Sequence, residues 1–529
     1  MNNIEIIESN YSLSKSNCTA FQFKFPLDFY TNVPNNDPVT SFVEIMKGLD
    51  TSKYFKAIPH RGNQGYDPHM MLNIVLFAFM NKVPSLRELE TLCKYDIRYM
   101  WMADNETPSF MAFQRFISNT LAHEIEDIFY DICHRLIELD NVDLSKLYID
   151  GTKIEANAKK NSFVWKKSLI NRRNKVFEKT TVEITYLNTQ YKFNYETNTK
   201  YKASFIGQIA DDLMKYMVKN QIDLVYGIGK RKHDIQKRYE HILDYYIKLM
   251  NYEEMLEICG DRNSYSKTDH DATMMNMKYD YYNKTGVFKP GYNVQIGVSD
   301  EYIVHMGVYP NPTDTKTFIP FMKDYYGKYG CYPKWPVTDA GYGSYDNYMF
   351  CIINKMELGM KYSYYAKKND PKFKKNIYHS YNFKTDEKGH RVCPQGNPFN
   401  INYGDITNQK GDYIQISNIY GCGQCNECPV KEKCTKSPTG RTIQTNPILE
   451  EMHRKVDENL STAEGKEMKR QRSIQTEGAF GVIKYDVGYE RIRRRGIKNV
   501  KTELFLVFIG FNLRKYHHKK HRLDREFVS

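Results

Sequence analysis

With 529 residues, 41% of them apolar, the chain has material for two or three buried cores rather than one. Lysine and arginine outnumber aspartate and glutamate by 76 to 63, a formal charge of +13 that favours a polyanionic partner. The apolar run Leu504 to Phe511 is less than half of the roughly 20 residues a membrane helix needs, and the opening residues lack the basic start and apolar middle of a secretory signal, so no membrane span is expected and a cytoplasmic protein is.

Residues 20 to 140 read as mostly helical. Asp67-Pro68 sets a cap and a first helical position before MMLNIVLFAFM, Ser85 and Glu88 form a capping box, and Thr107-Pro108 starts a further helix with Phe110, Phe113, Arg115 and Phe116. Short helices with tight turns suit a helix-turn-helix DNA reader and equally a small helical bundle without that role. The pattern changes at Lys146 to Gly151, an apolar strand ending in Asp150, with Gly151 expected to turn the chain. Residues 159–276 follow, rich in Lys, Glu, Tyr and Ile at helical spacing and expected to be a helical insertion. Strands at Gly291 to Val298 and Glu301 to Tyr309 then form a hairpin. A helix over 315–329, a strand Trp335 to Asp339, a helix 345–356 and a strand 360–365 come next, an order that matches a ribonuclease-H-like sheet. A cysteine-bearing segment, 385–445, precedes a return to helix over 464–520. The expected fold class is therefore α/β. An all-α N-terminal domain spans 1–140; a ribonuclease-H-like core is assembled from 141–158, 277–384 and 446–529; the helical insertion occupies 159–276 and the cysteine-rich insertion 385–445.

Two-metal phosphodiester chemistry requires carboxylates that converge from different elements, because hard cations take oxygen ligands and leave positions for the phosphate. Three acids stand out by context. Asp150 lies in YIDGTKIEANAKK, Asp339 in VTDAGYGSYDN, where Gly341 and Gly343 allow close approach of a ligand, and Glu477 in RSIQTEGAFGVIKYDVG, seven residues before Lys484 on one helix face. Each acid taken singly also reads as a solvated strand-end or helix-face residue. Asp269, Asp271 and Asp314 sit near strand ends and read as capping or turn residues, with assistance of a metal by one of them as the alternative. Arg491, Arg493, Arg494 and Arg495 form a basic run that can hold strand phosphates or simply face solvent on a helix.

Cys422, Cys425, Cys428 and Cys434 follow a Cys-x2-Cys-x2-Cys-x5-Cys spacing with Cys393 upstream, and the total of 11 cysteines is odd, which suits a metal in a reducing cell better than disulfides. Structural zinc, an iron–sulfur cluster and reduced thiols filling a small core are the three readings this spacing leaves, the last spacing being wrong for a ferredoxin run. Cys18, Cys93, Cys133, Cys259, Cys331 and Cys351 are scattered and read as packing residues. His517, His518 and His521 read as a solvated basic tail. Tyr279, Tyr281, Tyr282, Tyr362, Tyr364 and Tyr365 read as half-buried residues, with stacking on unpaired bases as the alternative.

The block PHRGNQGYDPHMMLNIVLFAFMNKVPSLRELE, the segment TPSFMAFQRF and the strings DGTKIEANA, GYNVQ, TDAGYGS and EGAFGVIK occur in this order over nearly the whole chain. Together they resemble the bacterial insertion-sequence transposases of the DDE class, the family numbered eleven-eighty-two. The resemblance implies Asp150, Asp339 and Glu477 as the catalytic, metal-binding acids and Lys484 as the lysine of a Glu-x6-Lys signature. It further implies two magnesium or manganese ions, and Cys393, Cys425, Cys428 and Cys434 as the zinc set with Cys422 spare. Related groups carry Tyr-x2-Arg-x3-Glu; here residue 473 is Ser and the nearest arginine is Arg472, which is taken as the DNA-binding arginine with Lys484 and the basic run. The implied activity is DNA transposition and recombination: binding of terminal inverted repeats in double-stranded DNA, cleavage and strand transfer to target DNA, by a homodimer or higher assembly in the bacterial nucleoid. An inactive transposase-derived DNA-binding regulator and a nuclease without strand transfer are the alternatives.

Overall fold

A computed structural model describes residues 33–55, 65–227, 230–277, 287–409 and 411–526; Cys18, Tyr279, Tyr281 and Tyr282 lie outside them. The chain divides into two compact units, one of residues 1–120 with 513–529, the other of 121–512. No helix among the described residues is long and apolar enough to cross a membrane.

The smaller unit is built of short helices at Pro38–Lys47, Pro68–Met80, Leu86–Tyr95, Ile97–Met102 and Phe110–Arg115. Their starts follow from local chemistry. The Asp67 carboxylate accepts from the His69 N–H at 3.0 Å ahead of Pro68, and Ser85 Oγ accepts from the Glu88 N–H at 3.4 Å. At the last helix Ser109 is the cap, two residues beyond the expected Thr107. Phe77 is the hinge of the core, its ring 5.3 Å from Phe42 and 5.1 Å from Tyr99. Within the histidine run His518 is exposed, as in a solvated tail, but His517 is packed: its Nδ1 and Ser41 Oγ share a 3.0 Å hydrogen bond, and burial followed by the neighbouring His521 and His518 holds the His517 pKa down at about 4.

The larger unit is a mixed α/β structure. Its six-stranded sheet is formed by β1 (Lys146–Glu155), β4 (Thr273–Met277), β5 (Val287–Ser299), β6 (Tyr302–Tyr309), β7 (Trp335–Thr338) and β8 (Gly359–Met360). β5 pairs antiparallel with β1 on one side and with β4 and β6 on the other, and β1, β7 and β8 run parallel. Asp300 and Glu301 turn the β5–β6 hairpin with φ of 45° and 70°, the left-handed pair that matches strand twist. Between β1 and β4, β2 (Phe163–Trp165) pairs with β3 (Ser264–Ser266) and closes the stem of three helices, Lys166–Tyr191, Ala203–Lys219 and Asp234–Cys259. β4 was expected inside that helical insertion; its MMNM run instead feeds the main sheet.

Other boundaries also move. The helix Ala122–Asp140 belongs with the sheet, where Tyr130 meets His305 of β6, while residues from Leu513 onward join the smaller unit. The strand expected over 360–365 is cut to two residues, and Tyr362 beyond it is buried with its hydroxyl on the Asp457 carboxylate, so it offers no face to a base. Cys93, Cys133, Cys259 and Cys351 are buried, as packing requires, but Cys331 is exposed. In the cysteine-bearing segment, β9 (Lys384–Thr385) pairs with β10 (Arg391–Val392), and β11 (Ile401–Asn408), β12 (Gln415–Gly421) and β13 (Thr442–Thr445) make a separate three-stranded sheet.

His305 is wholly buried, its Nδ1 2.7 Å from the Tyr130 hydroxyl, and burial depresses its pKa to about 3. Below the unfolded value near 6.5 only the unfolded chain takes up this proton, so acidification between pH 6.5 and about 3 destabilises the fold by at most about 1.4 kcal/mol per pH unit from this group. Thermal melts of wild type and His305→Gln over pH 7 to 5 test this: the variant should lose less stability on acidification, and parallel losses would show that the imidazole does not titrate there.

Candidate active site

Asp150 is not at the end of its strand. β1 continues to Glu155, and the antiparallel register sets Gly151 opposite Gln295. The glycine serves a close approach rather than a turn: a Cβ at residue 151 would lie 2.1 Å from Gln295 Nε2 and 2.8 Å from Asp314 Oδ1. The Gly151 N–H also donates to Asp150 Oδ1 at 2.9 Å, fixing that carboxylate beside its own strand. Asp339 directly follows β7, the parallel neighbour of β1, and its Oδ1 accepts from the Gly341 N–H at 2.8 Å. Parallel pairing thus delivers two acids to one end of the sheet.

Arg472 holds them together. One terminal nitrogen of its guanidinium lies 3.0 Å from Asp150 Oδ1 and 3.7 Å from Asp339 Oδ2, and the residue is only 7% exposed. This explains the displaced arginine in the sequence. Residues Ser473–Glu477 form a π-helical turn, whose i→i+5 bonding adds one residue per turn. A residue five before Glu477 therefore comes round to the face that a residue four before it would occupy in an α-helix. Arg472 was expected on DNA; the structure buries it among carboxylates. Thr476, on the same turn, donates to Asp150 Oδ2 at 3.3 Å, and Gln475 Oε1 accepts from the Glu301 N–H at 3.1 Å, tying the turn to the hairpin.

Glu477 closes this π turn next to Thr476 and is exposed, without a hydrogen bond or ion pair to either aspartate among the described residues. Lys484 sits in a second π turn, Val482–Asp486, and reaches the sheet: its ammonium donates to Thr152 Oγ1 at 2.5 Å. The basic run is not helical. Arg491 forms an isolated bridge with Glu155, and the N–H groups of Arg493 and Arg494 donate to the Glu503 carboxylate at 3.1 and 3.0 Å. Arg495 Nε donates to the Asn157 carbonyl at 2.7 Å. Arg491, Arg493 and Arg495 are exposed, whereas burial lowers the Arg494 pKa against the opposing pull of Glu503.

Lys361 escaped the sequence reading, and Asp314 was read there as a capping or turn residue. Asp314 opens a 3-10 turn, yet its side chain stands with the acids: the buried Tyr342 phenol is pushed well above its usual pKa first by burial, then by Asp314, Asp150 and Asp339. Lys361 is half-buried beside Arg472 and Lys469, so desolvation and then these two cations lower its pKa while Asp339 raises it. Asp269 and Asp271 keep the turn roles expected of them, accepting from the Gly496 N–H at 3.2 Å and from the Ile497 N–H at 2.8 Å.

Among the described residues no three acidic, histidine or cysteine side chains already converge on one ion position. The donor chemistry nevertheless suits a hard cation: carboxylates from separate elements surround a positive group, the guanidinium standing where opposite charge is favoured. The thiols fit a softer ion. Cys393, Cys422, Cys425, Cys428 and Cys434 line one cavity of about 20 Å³. The Asn397 N–H points at Cys393 Sγ at 3.4 Å and an Arg441 N–H at Cys434 Sγ at 3.5 Å. Cys422 is buried against Phe383, Phe399 and Ile443, and burial, with Cys425 and Cys393 adding to it, pushes its pKa up to about 11.

Residues 392–517 match the family model described as Transposase DDE domain, and residues 27–119 match that described as Transposase domain (DUF772). No curated protein and no solved structure matches the chain.

Gly151→Ala should drive Gln295 off Asp314 and destabilise the protein by about 1–3 kcal/mol, as overpacking does. In a Gln295→Ala background the same substitution should cost clearly less. Equal losses of denaturation midpoint in the two backgrounds would mean that the clash is not the cause.

Proposed function

We propose that the chain, which matches two transposase domain families, is a transposase of the insertion-sequence DDE class that cuts and rejoins double-stranded DNA at the terminal inverted repeats of its own element, with Asp150, Asp339 and Glu477 as the working acids. The observation that carries this is the meeting of Asp150 and Asp339, brought by parallel strands from distant parts of the chain, on a single buried cation, Arg472. The strand order, with β5 antiparallel and β7 and β8 parallel to β1, supports a ribonuclease-H-like reading of the sheet.

Asp150 and Asp339 would hold magnesium or manganese, and Glu477, free to swing from its exposed turn, would complete the set. When bound, such ions activate water or a DNA 3′-hydroxyl and stabilise charge on the scissile phosphate. The chain's own part is arrangement. Asp150 and Asp339 are fixed by the N–H groups of Gly151 and Gly341, so the carboxylates that would hold the ions need little reorganisation. Lys484, Arg491, Arg493 and Arg495 supply positive charge beside the site for strand phosphates. Arg472 keeps the acids together before substrate arrives. A homodimer on DNA follows from the need to synapse two ends.

Purified protein incubated with labelled repeat-end DNA and Mg²⁺ or Mn²⁺ tests the reading. Wild type should nick and then join, whereas Asp150→Ala, Asp339→Ala and Glu477→Ala should each lose more than about 100-fold in cleavage while still binding DNA. Equal cleavage by wild type and Asp150→Ala would refute the assignment; cleavage without joined products would make the protein a nuclease.

The thiol cavity supports a structural zinc held by Cys393, Cys425, Cys428 and Cys434, with Cys422 in the adjoining apolar cluster. Elemental analysis should find zinc in wild type and lose it in Cys425→Ser, with a lowered melting temperature for the variant. Full zinc content in Cys425→Ser would remove that cysteine from the set.

A further inference from the structure

Resting on that reading of Asp150 and Asp339, we propose that Asp314 is a further acid of the same centre, presenting Oδ2 to the divalent cation held beside Asp339. A turn residue needs only its backbone, and Asp314 uses its carbonyl for that, accepting from the Thr317 N–H at 3.0 Å and Oγ1 at 2.8 Å. Its carboxylate has a separate and costly mounting. Oδ1 accepts from Asn293 Nδ2 at 2.8 Å and Gln295 Nε2 at 2.9 Å, and both amides are buried on β5, two residues apart and hence on one face of the sheet. Gln295 is locked in turn: its Nε2 also donates to Asn293 Oδ1 at 2.9 Å, and its Oε1 accepts from the hydroxyl of the fully buried Tyr342. Three buried polar side chains therefore fix the direction of one carboxylate.

Oδ2 is left over. No hydrogen bond or ion pair engages it among the described residues, and it lies 3.6 Å from where a Cβ on Gly341 would stand, a point itself 3.0 Å from Asp339 Oδ1. Asp314 and Asp339 thus border the same small space. The other oxygen of Asp339 already attracts positive charge. Arg472 is more than nine-tenths buried with its terminal nitrogen on Asp150 and Asp339, and its Nε finds no hydrogen-bond partner. A hard cation accepts carboxylate oxygens without further geometric demand.

Mn²⁺ titration of the full-length protein without DNA, followed by calorimetry and by electron paramagnetic resonance of free Mn²⁺, tests the assignment. Asp314→Asn retains an acceptor at Oδ1 and replaces only Oδ2, so it should weaken Mn²⁺ binding by about 10-fold or more. Tyr342→Phe, which removes one hydroxyl from the mounting, should weaken it by a smaller factor. If Asp314→Asn folds poorly, the Mn²⁺-induced rise in melting temperature of Asp314→Ser gives the second reading and should be reduced. Loss of binding in Asp150→Ala together with wild-type binding in Asp314→Asn would overturn this inference alone. Wild-type binding in Asp150→Ala would overturn the acid centre on which it rests.

Discussion

Carboxylates gathered at one end of a sheet repel one another, and the fold can hold them there only because a cation is buried with them. Arg472 answers that demand. It is enclosed with Asp150, shares its guanidinium with Asp339, and reaches both from a helix far along the chain. Removing one partner from a buried pair of this kind typically costs about 3–5 kcal/mol, because the remaining charge is left without compensation. The sheet register, the π turn and the hairpin contact through Gln475 all serve to bring this one side chain to its place.

That constraint separates what could be read from residues from what could not. Asp150 and Asp339 could be picked out as candidates because an apolar β-run reaching an acid, with glycine one or two residues on, is a local pattern. The hairpin was legible because β5 and β6 are rich in strand-forming residues around a short polar turn. Gly151 was misread as a turn residue, since only cross-strand register reveals that Gln295 occupies the space its side chain would take. Arg472 looked out of phase because α-helical counting was assumed, and the π turn is set by tertiary packing rather than by the propensity of Ser473 to Glu477. Asp314 stood out only as one of three acids near strand ends: its neighbours Asn293 and Gln295 lie on another strand, and nothing in their spacing announces that their amides point at it.

The insertions show the same division. Helical spacing over 159–276 announced a helical insertion; the structure forms three helices there, whose apolar stripes, with Ile184, Leu213, Ile242 and Leu249 wholly buried, make a core. The short pair β2–β3 that gathers their ends was invisible, because strands of three residues carry too little pattern. The thiols were conspicuous in spacing, and the structure sets five of them around one cavity, though the hydrophobic company of Cys422 comes only from the fold.

A last consequence lies at the edge of the sheet. The Asn512 side chain acts there as a dummy peptide, its amide oxygen accepting from the Ile303 N–H at 2.9 Å and its nitrogen donating to the Ile303 carbonyl at 2.8 Å. Asn512 has no exposed surface, so the mimic is sealed in place. An incoming strand would have to evict it before bonding to β6 at that point. Association of copies by strand addition is therefore blocked on β6 at Ile303.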